Sequence, residues 1–487
     1  MLGFYGEYDV IVCGGGTSGI AAALASARAG AKTLIIERVG QLGGQMNFSG
    51  PPGFSFAWLY NGRHEKIVGG IAEEFYNLML ADGHAMEECH QKWRGAYQFN
   101  YIDPDWFGMY VYQLLTEAGC DFMLHSLVTE VIREGDEVKG VICEHPGGKS
   151  MILGKVVIDC TGEGEVCWQA GAETEKLPAD QLEPATVAFT CDGVDWDKFM
   201  DYFMNNLEEF DFNHIYDPYV NMSEEEIRED IRKNVKSIKD LGEVMGFFSM
   251  HKKAMEVGEW HKFSGVGFFI MPREGGKIQA HFQHSSQVGN ADCTNVRDLT
   301  RVEVEAREQN EIAFKFFKKY VPGFENAYIS RVCPEARIRE TRRVMGDYIL
   351  CGDDVEQARK FADVIGKSCF PSGPKHVIPE EDETSTNGTL TNTNIARYPK
   401  DGGSNDIPYR CLVVKGLENL LVAGKAVSAD RPTHQRFLQQ TFVTGQAAGC
   451  AAAICAKKGI TPRELENSIE ELQALLRKQN VILDGTY

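Results

Sequence analysis

The sequence predicts an α/β fold in which a three-layer domain with a mainly parallel sheet is built from the two ends of the chain and carries an inserted α+β domain with an antiparallel sheet. Three observations support this. Tyr8 to Gly50 runs strand, glycine turn, helix, strand. Two later strand patterns, Lys155–Asp159 and Leu420–Ala423, each run into a glycine. Between them, Val266–Met271 and Lys277–His284 read as an antiparallel pair. A length of 487 residues allows about three units at roughly 150 residues each, but the motifs reduce these to two: residues 1–175 and 331–487 form one domain and 176–330 the insertion.

The N-terminal elements follow from local chemistry. Asp9-Val-Ile-Val-Cys13 is an apolar run with β-branched residues. Gly14-Gly-Gly16-Thr-Ser-Gly19 follows as a G-x-G-x-x-G turn, then an Ala-rich helix from Ile20 closed by Gly30, then Lys32-Thr-Leu-Ile-Ile-Glu37 as a second strand. In this Rossmann-like context the motif has a mechanism. Gly14 permits the tight turn, Gly16 lets the backbone approach a pyrophosphate, and Gly19 lets the helix pack on the strand. The free N–H groups of Thr17, Ser18 and their neighbours then face the phosphates. Glu37 lies 21 positions after Gly16, at the end of the second strand, where a carboxylate accepts hydrogen bonds from both ribose hydroxyls. Beyond Glu37-Arg38 comes a second glycine turn, Gln41-Leu-Gly43-Gly44-Gln45-Met46. Glu130–Arg133 and Lys139–Cys143 read as a hairpin, and Lys155-Val-Val-Ile-Asp159-Cys160-Thr161-Gly162 as a strand ending in T-G.

Composition excludes several classes. Hydrophobic residues at 43%, charged residues at 25% and aromatics at 10% describe an ordinary globular chain with a sizeable core. Lys plus Arg is 50 against 70 Asp plus Glu, a net charge of -20 that repels phosphate backbones and anionic lipid, so neither nucleic acid nor membrane is expected as a partner. The fourteen cysteines are scattered with no C-x-x-C, and Cys13, Cys143 and Cys160 sit in apolar runs, as expected in a reducing cytoplasm. There is no leader pattern and no stretch approaching ~20 apolar residues, so a cytoplasmic protein is expected.

Taken together, these segments resemble the FAD-dependent oxidoreductases of the glutathione-reductase-like superfamily. The resemblance covers most of the chain. It rests on Gly14 to Gly44, on Ile158-Asp-Cys-Thr-Gly-Glu-Gly164 leading to Ala170-Gly171-Ala172, on Arg337-Ile-Arg339-Glu340-Thr-Arg342-Arg343-Val-Met-Gly346 and on Ile407-Pro-Tyr-Arg410. Asn419-Leu-Leu-Val-Ala-Gly424-Lys425 and Thr444-Gly445-Gln446-Ala-Ala-Gly449 complete it. The resemblance implies bound FAD and redox chemistry, with the second glycine turn passing the FAD pyrophosphate and ribityl chain. Cofactor contacts are then expected from Gly14, Gly16, Thr17, Ser18, Gly19, Glu37, Arg38, Gly43, Gly44, Gln45, Val128, Thr161, Gly162, Gly424, Gly445, Gln446 and Ala447. Many relatives carry a G-D pair where this chain has Gly424-Lys425, which argues against the aromatic hydroxylases.

The helix from Thr441 to Lys457 places Gly445 and Gly449 on one face for close packing. In similar folds its N-terminus aims at the flavin pyrimidine edge, where the dipole, worth ~0.3 to 2 kcal/mol, favours the charge of reduced flavin. The insertion reads as a substrate cap. From Asp195 to Gly258 it is acidic and aromatic: Phe199, Phe203 and Leu207 form a core stripe, Ser223-Glu-Glu-Glu226 is a capping box, and the carboxylates are a solvated face. Residues 371–406 form a long polar stretch read as a lid. Thr461-Pro-Arg-Glu464 is another cap, opening a stripe of Leu465, Ile469, Leu472 and Leu476.

No second G-x-G-x-x-G follows a strand, so a dedicated NAD(P)H domain is not expected, and neither His281/His284 nor the His84–Cys89–His90 group has metal-site spacing. Metal is expected nowhere. Catalytic candidates come from segments that should converge on the flavin: His434 and Arg436 before the C-terminal helix, Arg339 and Arg343 of the arginine motif, and His64, with Gln45, Asn47 and Arg63 nearby. The expected reaction moves hydride between flavin N5 and a small polar substrate such as a hydroxylated, sugar-like or carboxylated compound, with the arginines anchoring a carboxylate or other polar oxygen group. Two alternatives stay open: a flavin monooxygenase, and a non-redox dinucleotide-binding protein like the thiazole-forming relatives of this fold. No motif names the electron partner, and a homo-oligomer is compatible with the sequence.

Overall fold

The computed structural model describes residues 2–49, 56, 59–86, 101–212, 222–260, 266–373, 376–377, 390–391, 396–433 and 435–485. The first third of the chain supplies β1 (Leu2–Cys13), α1 (Thr17–Arg28), β2 (Thr33–Ile36), α2 (Gly70–Ala81), α3 (Pro104–Glu117), β3 (Asp121–Met123), β4 (Leu127–Glu134), β5 (Glu137–His145) and β6 (Gly148–Asp159). The middle supplies β7 (Phe189–Asp192), α4 (Trp196–Asn205), α5 (Glu224–Asn234), β8 (Glu243–Met245), β9 (Gly267–Arg273), β10 (Lys277–Phe282), α6 (Val296–Tyr320) and β11 (Tyr328–Val332). The last part adds β12 (Leu420–Val422), α7 (Leu438–Lys458) and α8 (Ile469–Lys478).

The larger sheet runs β3-β2-β1-β6-β5-β4, and β12 also pairs with β6. β3, β2, β1, β6 and β12 are mutually parallel, while β5 and β4 are an antiparallel ribbon as the hairpin pattern predicts. β6 accommodates two neighbours on one side because it is long: its first half pairs with β5 from Gly148 to Leu153, and its last residues Val157–Asp159 pair with β12. A strand from residue 420 thus completes a sheet begun at residue 2. β1 is longer than the run Asp9–Cys13 that the pattern marks, because its register against β6 reaches back to Leu2 opposite Lys149.

Both faces of this sheet are covered, which is why its central strands read as continuous apolar runs rather than alternating ones. Val10 and Val12 of β1 face the core shared with α1 and α7, whereas Ile11 and Cys13 face a second core with Val141 and Cys143 of β5 and Val166. α7 is buried along almost its whole length, matching its Ala- and Gly-rich sequence, and takes Gln439, Gln440 and Gln446 into the interior with it.

The second sheet has the order β11-β7-β10-β9-β8, with every pairing antiparallel. The predicted strand pair is its centre. Its core is aromatic: Phe189 and Phe282 stack at 4.5 Å between centroids, and Phe282 meets Phe317 of α6 at 4.7 Å. Such pairs contribute about 0.5 to 1.5 kcal/mol each beyond area burial. Phe199, Phe203 and Leu207 are buried as the stripe predicts, and the Ser223–Glu226 capping box forms, with Ser223 N–H donating to Glu226 Oε2 at 2.7 Å. Arg331 and Arg273 tie this sheet to the rest of the chain: Arg331 Nη2 donates to Asn47 O at 2.6 Å, and Arg273 Nη1 to Asp103 Oδ1 at 2.5 Å.

Of the stretch 371–406 expected as a lid, residues 374–375, 378–389 and 392–395 lie outside the described residues. Its end, Asn405–Pro408, pairs antiparallel with Val364–Ser368. The C-terminal stripe is broken in two. Pro462–Leu465 is a capped turn, Glu466–Ser468 is a 3-10 turn, and α8 follows, yet Leu465, Leu472 and Leu476 all remain fully buried. No helix among the described residues is long and apolar enough to cross a membrane.

Candidate active site

A cavity of about 360 Å3 opens at the carboxyl ends of β1, β2 and β6. This is where open α/β sheets bind ligands. Its wall is built from the first glycine turn, Gly14–Ser18, from Glu37 and Arg38 after β2, from Gly44, Gln45 and Phe48, and from Cys160–Glu163 after β6. Leu127 and Val128 of β4 line it too, as do Cys293, Leu299 and Glu303 from the inserted segment. The run Glu335–Arg339 lines it as well. Glu335 pairs with Arg38 at 2.5 Å, Ala336 O accepts from Gln45 Nε2 at 3.3 Å, and Arg339 lies near Arg436.

The glycine turn has the geometry its motif requires. Gly14 takes φ +104°, and a Cβ there would lie 2.6 Å from the Cys160 carbonyl carbon, so the close passage of β6 admits glycine only. Gly19 packs on the Gly14 carbonyl in the same way, whereas a Cβ on Gly16 would meet nothing within 4 Å. Gly16 therefore leaves room for a ligand to approach the backbone. It is also the N-cap of α1 and carries no side-chain cap, so the first-turn N–H groups remain available to an anion. Gly44 of the second turn sits directly on Gly16, where a Cβ would come within 2.8 Å of Gly16 Cα.

Glu37 is held by both oxygens: Oε2 accepts from Gly15 N–H at 2.7 Å and Oε1 from Val39 N–H at 3.1 Å. A carboxylate has about four acceptor sites, so two ribose hydroxyls can still be accommodated. At the end of β6, Asp159 accepts from the Thr161 hydroxyl at 2.7 Å and from Cys167 N–H at 2.8 Å, shaping the turn that presents Thr161 and Gly162. Glu165 lines the same wall. Burial, then the neighbouring Glu163 and Asp159, push its carboxyl up to about 7, against the pull of Arg38 and Arg342.

The opposite part of the wall is basic. α7 begins at Leu438, and Leu438 and Thr441 line the cavity, so the helix N-terminus faces it; the hydroxyls of Thr441 and Thr17 share a hydrogen bond of 2.6 Å. Arg436 pairs with Glu183 at 3.0 Å and lies 5.0 Å from the Phe437 ring centroid. Arg339 is 2% exposed, and its guanidinium is held well below its ordinary range by burial and then by Arg337 and Arg436. Lys425 Nζ bonds Glu163 Oε1 at 2.6 Å and Ile338 O at 2.8 Å, so the position where many relatives carry an acid holds an ion pair at the cavity wall.

Several expected residues are not brought to the cavity. Arg343 is 1% exposed and bonds Glu340 at 2.9 Å and Glu175 at 3.1 Å, which fixes the pairing of Arg343–Val344 with Thr174–Glu175. His64 and Arg63 lie in an exposed turn organised by Asn61 Oδ1. Asn47 donates to Leu42 O at 2.5 Å, behind the wall. Gly43 packs on Asn47, and Gly424 on Ser18. Gly445 packs against Ser18 and Ala447 is fully buried, while Gln446 Oε1 accepts from Ile71 N–H at 3.0 Å and its Nε2 donates to Gln479 O at 3.1 Å. These residues support the cavity from outside it. His434 lies outside the described residues, as do Cys89 and His90. Among the described residues no three His, Cys, Asp or Glu side chains are grouped to hold a metal ion.

Glu163, Glu165, Lys425, Arg337, Phe437 and Thr441 were not singled out by sequence as site residues, yet all line the cavity. Each but Phe437 had a local signal: the two glutamates follow the T-G after β6, Lys425 replaces an expected acid, Arg337 opens the arginine motif and Thr441 opens the predicted helix.

The chain matches the family described as FAD dependent oxidoreductase over residues 9–476. Among solved structures it is similar to a geranylgeranyl bacteriochlorophyll reductase-like protein from Thermoplasma acidophilum, with 14% identity, 97% of this chain and 84% of that one covered, and a TM-score of 0.43. It is also similar to p-nitrophenol 4-monooxygenase from Pseudomonas putida, with 11% identity, coverages of 97% and 86%, and a TM-score of 0.46. A third is the myxobacterial chondrochloren halogenase, with 10% identity, coverages of 96% and 79%, and a TM-score of 0.46. The match is to the FAD-dependent oxidoreductase family itself; the glutathione-reductase-like qualifier given to the resemblance is not part of it. An open glycine turn, a carboxylate held at its edge and a family match spanning almost the whole chain agree: this protein belongs to the FAD-dependent oxidoreductases and is an enzyme that uses FAD.

Proposed function

We propose that the protein is a dehydrogenase or reductase acting on a small polar organic substrate bound at the basic part of the cavity, between the larger sheet and the inserted segment. The observation that carries this is the continuity of one cavity from Glu37 and the glycine turn to Arg339, Arg436 and the N-terminus of α7, with Cys293, Leu299 and Glu303 of the insertion closing one side. Bound FAD supplies the hydride chemistry, at N5. Glu37 would hold the ribose, the N–H groups of the first turn the phosphates, and Gln45 and Thr161 the chain between them.

The protein's own groups handle charge and position. The α7 N-terminus favours negative charge beside Leu438 and Thr441 by ~0.3 to 2 kcal/mol. Arg339 and Arg436 orient polar oxygen groups of the substrate. His434 is the proposed acid or base. A reducing cytoplasm suits the thirteen described cysteines, all of them free thiols.

The test is anaerobic reduction of the purified flavoprotein with polyols, sugars, amino acids and organic acids. Native protein without a flavin spectrum, and releasing no FAD on denaturation, would end the proposal. Incorporation of oxygen from O2 into product would favour the monooxygenase alternative, and a bound NAD derivative the non-redox one. His434→Ala should retain FAD and lose most of its turnover; full turnover with FAD bound would remove that residue from the mechanism.

A further inference from the structure

Arg339 is the most deeply buried charge on the cavity wall. Its side chain is 2% exposed, and among the described residues only Nη1 has a protein acceptor, Pro184 O at 2.5 Å. Nε and Nη2 have none. These two nitrogens share one edge of the guanidinium plane, with parallel N–H bonds at the spacing of two carboxylate oxygens. Leaving that edge dry and unpaired is costly, because each buried N–H of a charged group has lost its water.

The surrounding charge adds to the imbalance. Arg337 and Arg436 both bear on Arg339 with like charge, and Glu183, already bonded to Arg436 at 3.0 Å, is the carboxylate that offsets them. The unpaired edge of Arg339, on a wall that also receives the N-terminus of a 21-residue helix, is suited to an anion. The phosphates of the cofactor have their own donors at the first glycine turn, so this second cationic group is not needed to hold them.

We propose that Arg339, flanked by Arg337 and Arg436, is a carboxylate-recognition site, and that the substrate is a small organic acid held by the Nε–Nη2 edge of Arg339. It rests on the flavin-and-substrate assignment of the cavity made above, and it narrows the polar substrates considered there to anionic ones. Hydroxyls of uncharged sugars and polyols can accept from this edge, but they bring neither the charge nor the matched oxygen pair of a carboxylate and are held less strongly.

The test is titration of the flavin-loaded protein with glycolate, malonate and succinate, with the corresponding amides, and with sodium sulfate as a salt control. Two signals are read: the visible flavin difference spectrum and the apparent Tm. At least one acid should give a saturable spectral change and raise Tm by about 2 to 3 °C at a hundredfold excess over Kd; its amide should give neither. Arg339→Gln should weaken acid binding at least 30-fold. Arg339→Lys, which keeps charge and most of the volume but loses the planar edge, should fall between, and Arg232→Gln, an exposed change of equal charge, should bind as the parent does. Amides binding within threefold of acids, no response to any acid, or acid binding unchanged in both Arg339 variants would overturn the proposal. Loss of FAD from Arg339→Gln with acid binding retained would assign the edge to the cofactor and overturn it equally. The Tm signal does not depend on flavin, so protein purified without FAD would count against the function proposed above while leaving acid binding measurable.

Discussion

Gly445→Ala adds one methyl group where α7 crosses α1. A Cβ at Gly445 would stand 2.8 Å from both the carbonyl carbon and the Cα of Ser18, with the carbonyl oxygen nearer still. Carbon–carbon contacts are favourable from about 3.5 Å, so the helices must part by about 0.7 Å or more at this point. They cannot pivot about the next turn, because a Cβ on Gly449 would lie 2.8 Å from the Ala22 carbonyl carbon. Overpacking of this kind costs about 1 to 3 kcal/mol, and a backbone-on-backbone clash belongs at the upper end. The better helix propensity of alanine returns about 1 kcal/mol, leaving about 2 kcal/mol of net destabilisation. With an unfolding entropy of about 2.1 cal/mol/K per residue, 487 residues give about 1 kcal/mol/K, so apparent Tm should fall by about 2 °C. The second effect is local. Ser18 lines the cavity and Thr17 shares its hydroxyl bond with Thr441, so moving α1 distorts the phosphate cradle and FAD retention should drop. Gly449→Ala strains the same interface one turn away, against Ala22, which is not on the cavity wall, and should lose stability with little loss of FAD. The assay is differential scanning fluorimetry beside flavin-to-protein absorbance after gel filtration. Gly445→Ala with full flavin content and an unchanged Tm would show that the two helices do not position the cradle.

Glu37→Ala removes the acceptor of Gly15 N–H and the expected ribose contacts together, so FAD affinity measured by fluorescence quenching should fall more than tenfold; an unchanged Kd would detach Glu37 from the cofactor. Glu165, raised to about 7 from an ordinary 4.5, binds a proton in the fold that the unfolded chain has already released between these values. Its contribution to stability is therefore lost as pH rises from about 4.5 to about 7, by about 3 kcal/mol at most. Glu165→Gln should match the parent in urea unfolding at pH 5 and exceed it at pH 8; an equal difference at both values would refute the assignment. Of the described thiols only Cys351 is partly exposed, and its Sγ donates to Asp354 at 3.4 Å, which with burial raises it. In a Cys89→Ser background one thiol should react with an aromatic disulfide reagent well before the rest, faster at higher pH, and Cys351→Ser should abolish that phase.

The part of the cavity wall built by the glycine turn and the strand ends was legible because its geometry is local. Gly14, Gly16, Glu37, Thr161 and Gly162 act through backbone geometry and strand ends, and each lies within a few residues of the turn that gives it meaning. The helix from Leu438, the capping box at Ser223 and the strand pair at 267–282 were legible for the same reason, since periodicity and caps are short-range. The arginine motif was not. From R-I-R-E-T-R-R nothing separates Arg339, on the cavity wall, from Arg343, locked between Glu340 and Glu175, because the deciding partner Glu175 lies 168 positions away. Gln446 misled in a similar way: its neighbours Gly445 and Gly449 do mark an interface, but that interface is with α1, and the glutamine turns toward Ile71 and Gln479.

By itself, then, the sequence determined that a glycine turn joins the first strand to the first helix, which strands and helices surround it, and, through its motifs, that the chain belongs with FAD-dependent oxidoreductases; local sterics and periodicity are enough for the turn and its neighbours. Tertiary structure alone decided which charges meet. It joined Lys425 to Glu163 across 262 positions, stranded the Nε–Nη2 edge of Arg339 beside Arg337 and Arg436, and sent Arg343 into a closed ion pair. Charges interact through space and are priced by burial, and neither distance nor burial is written in residue spacing.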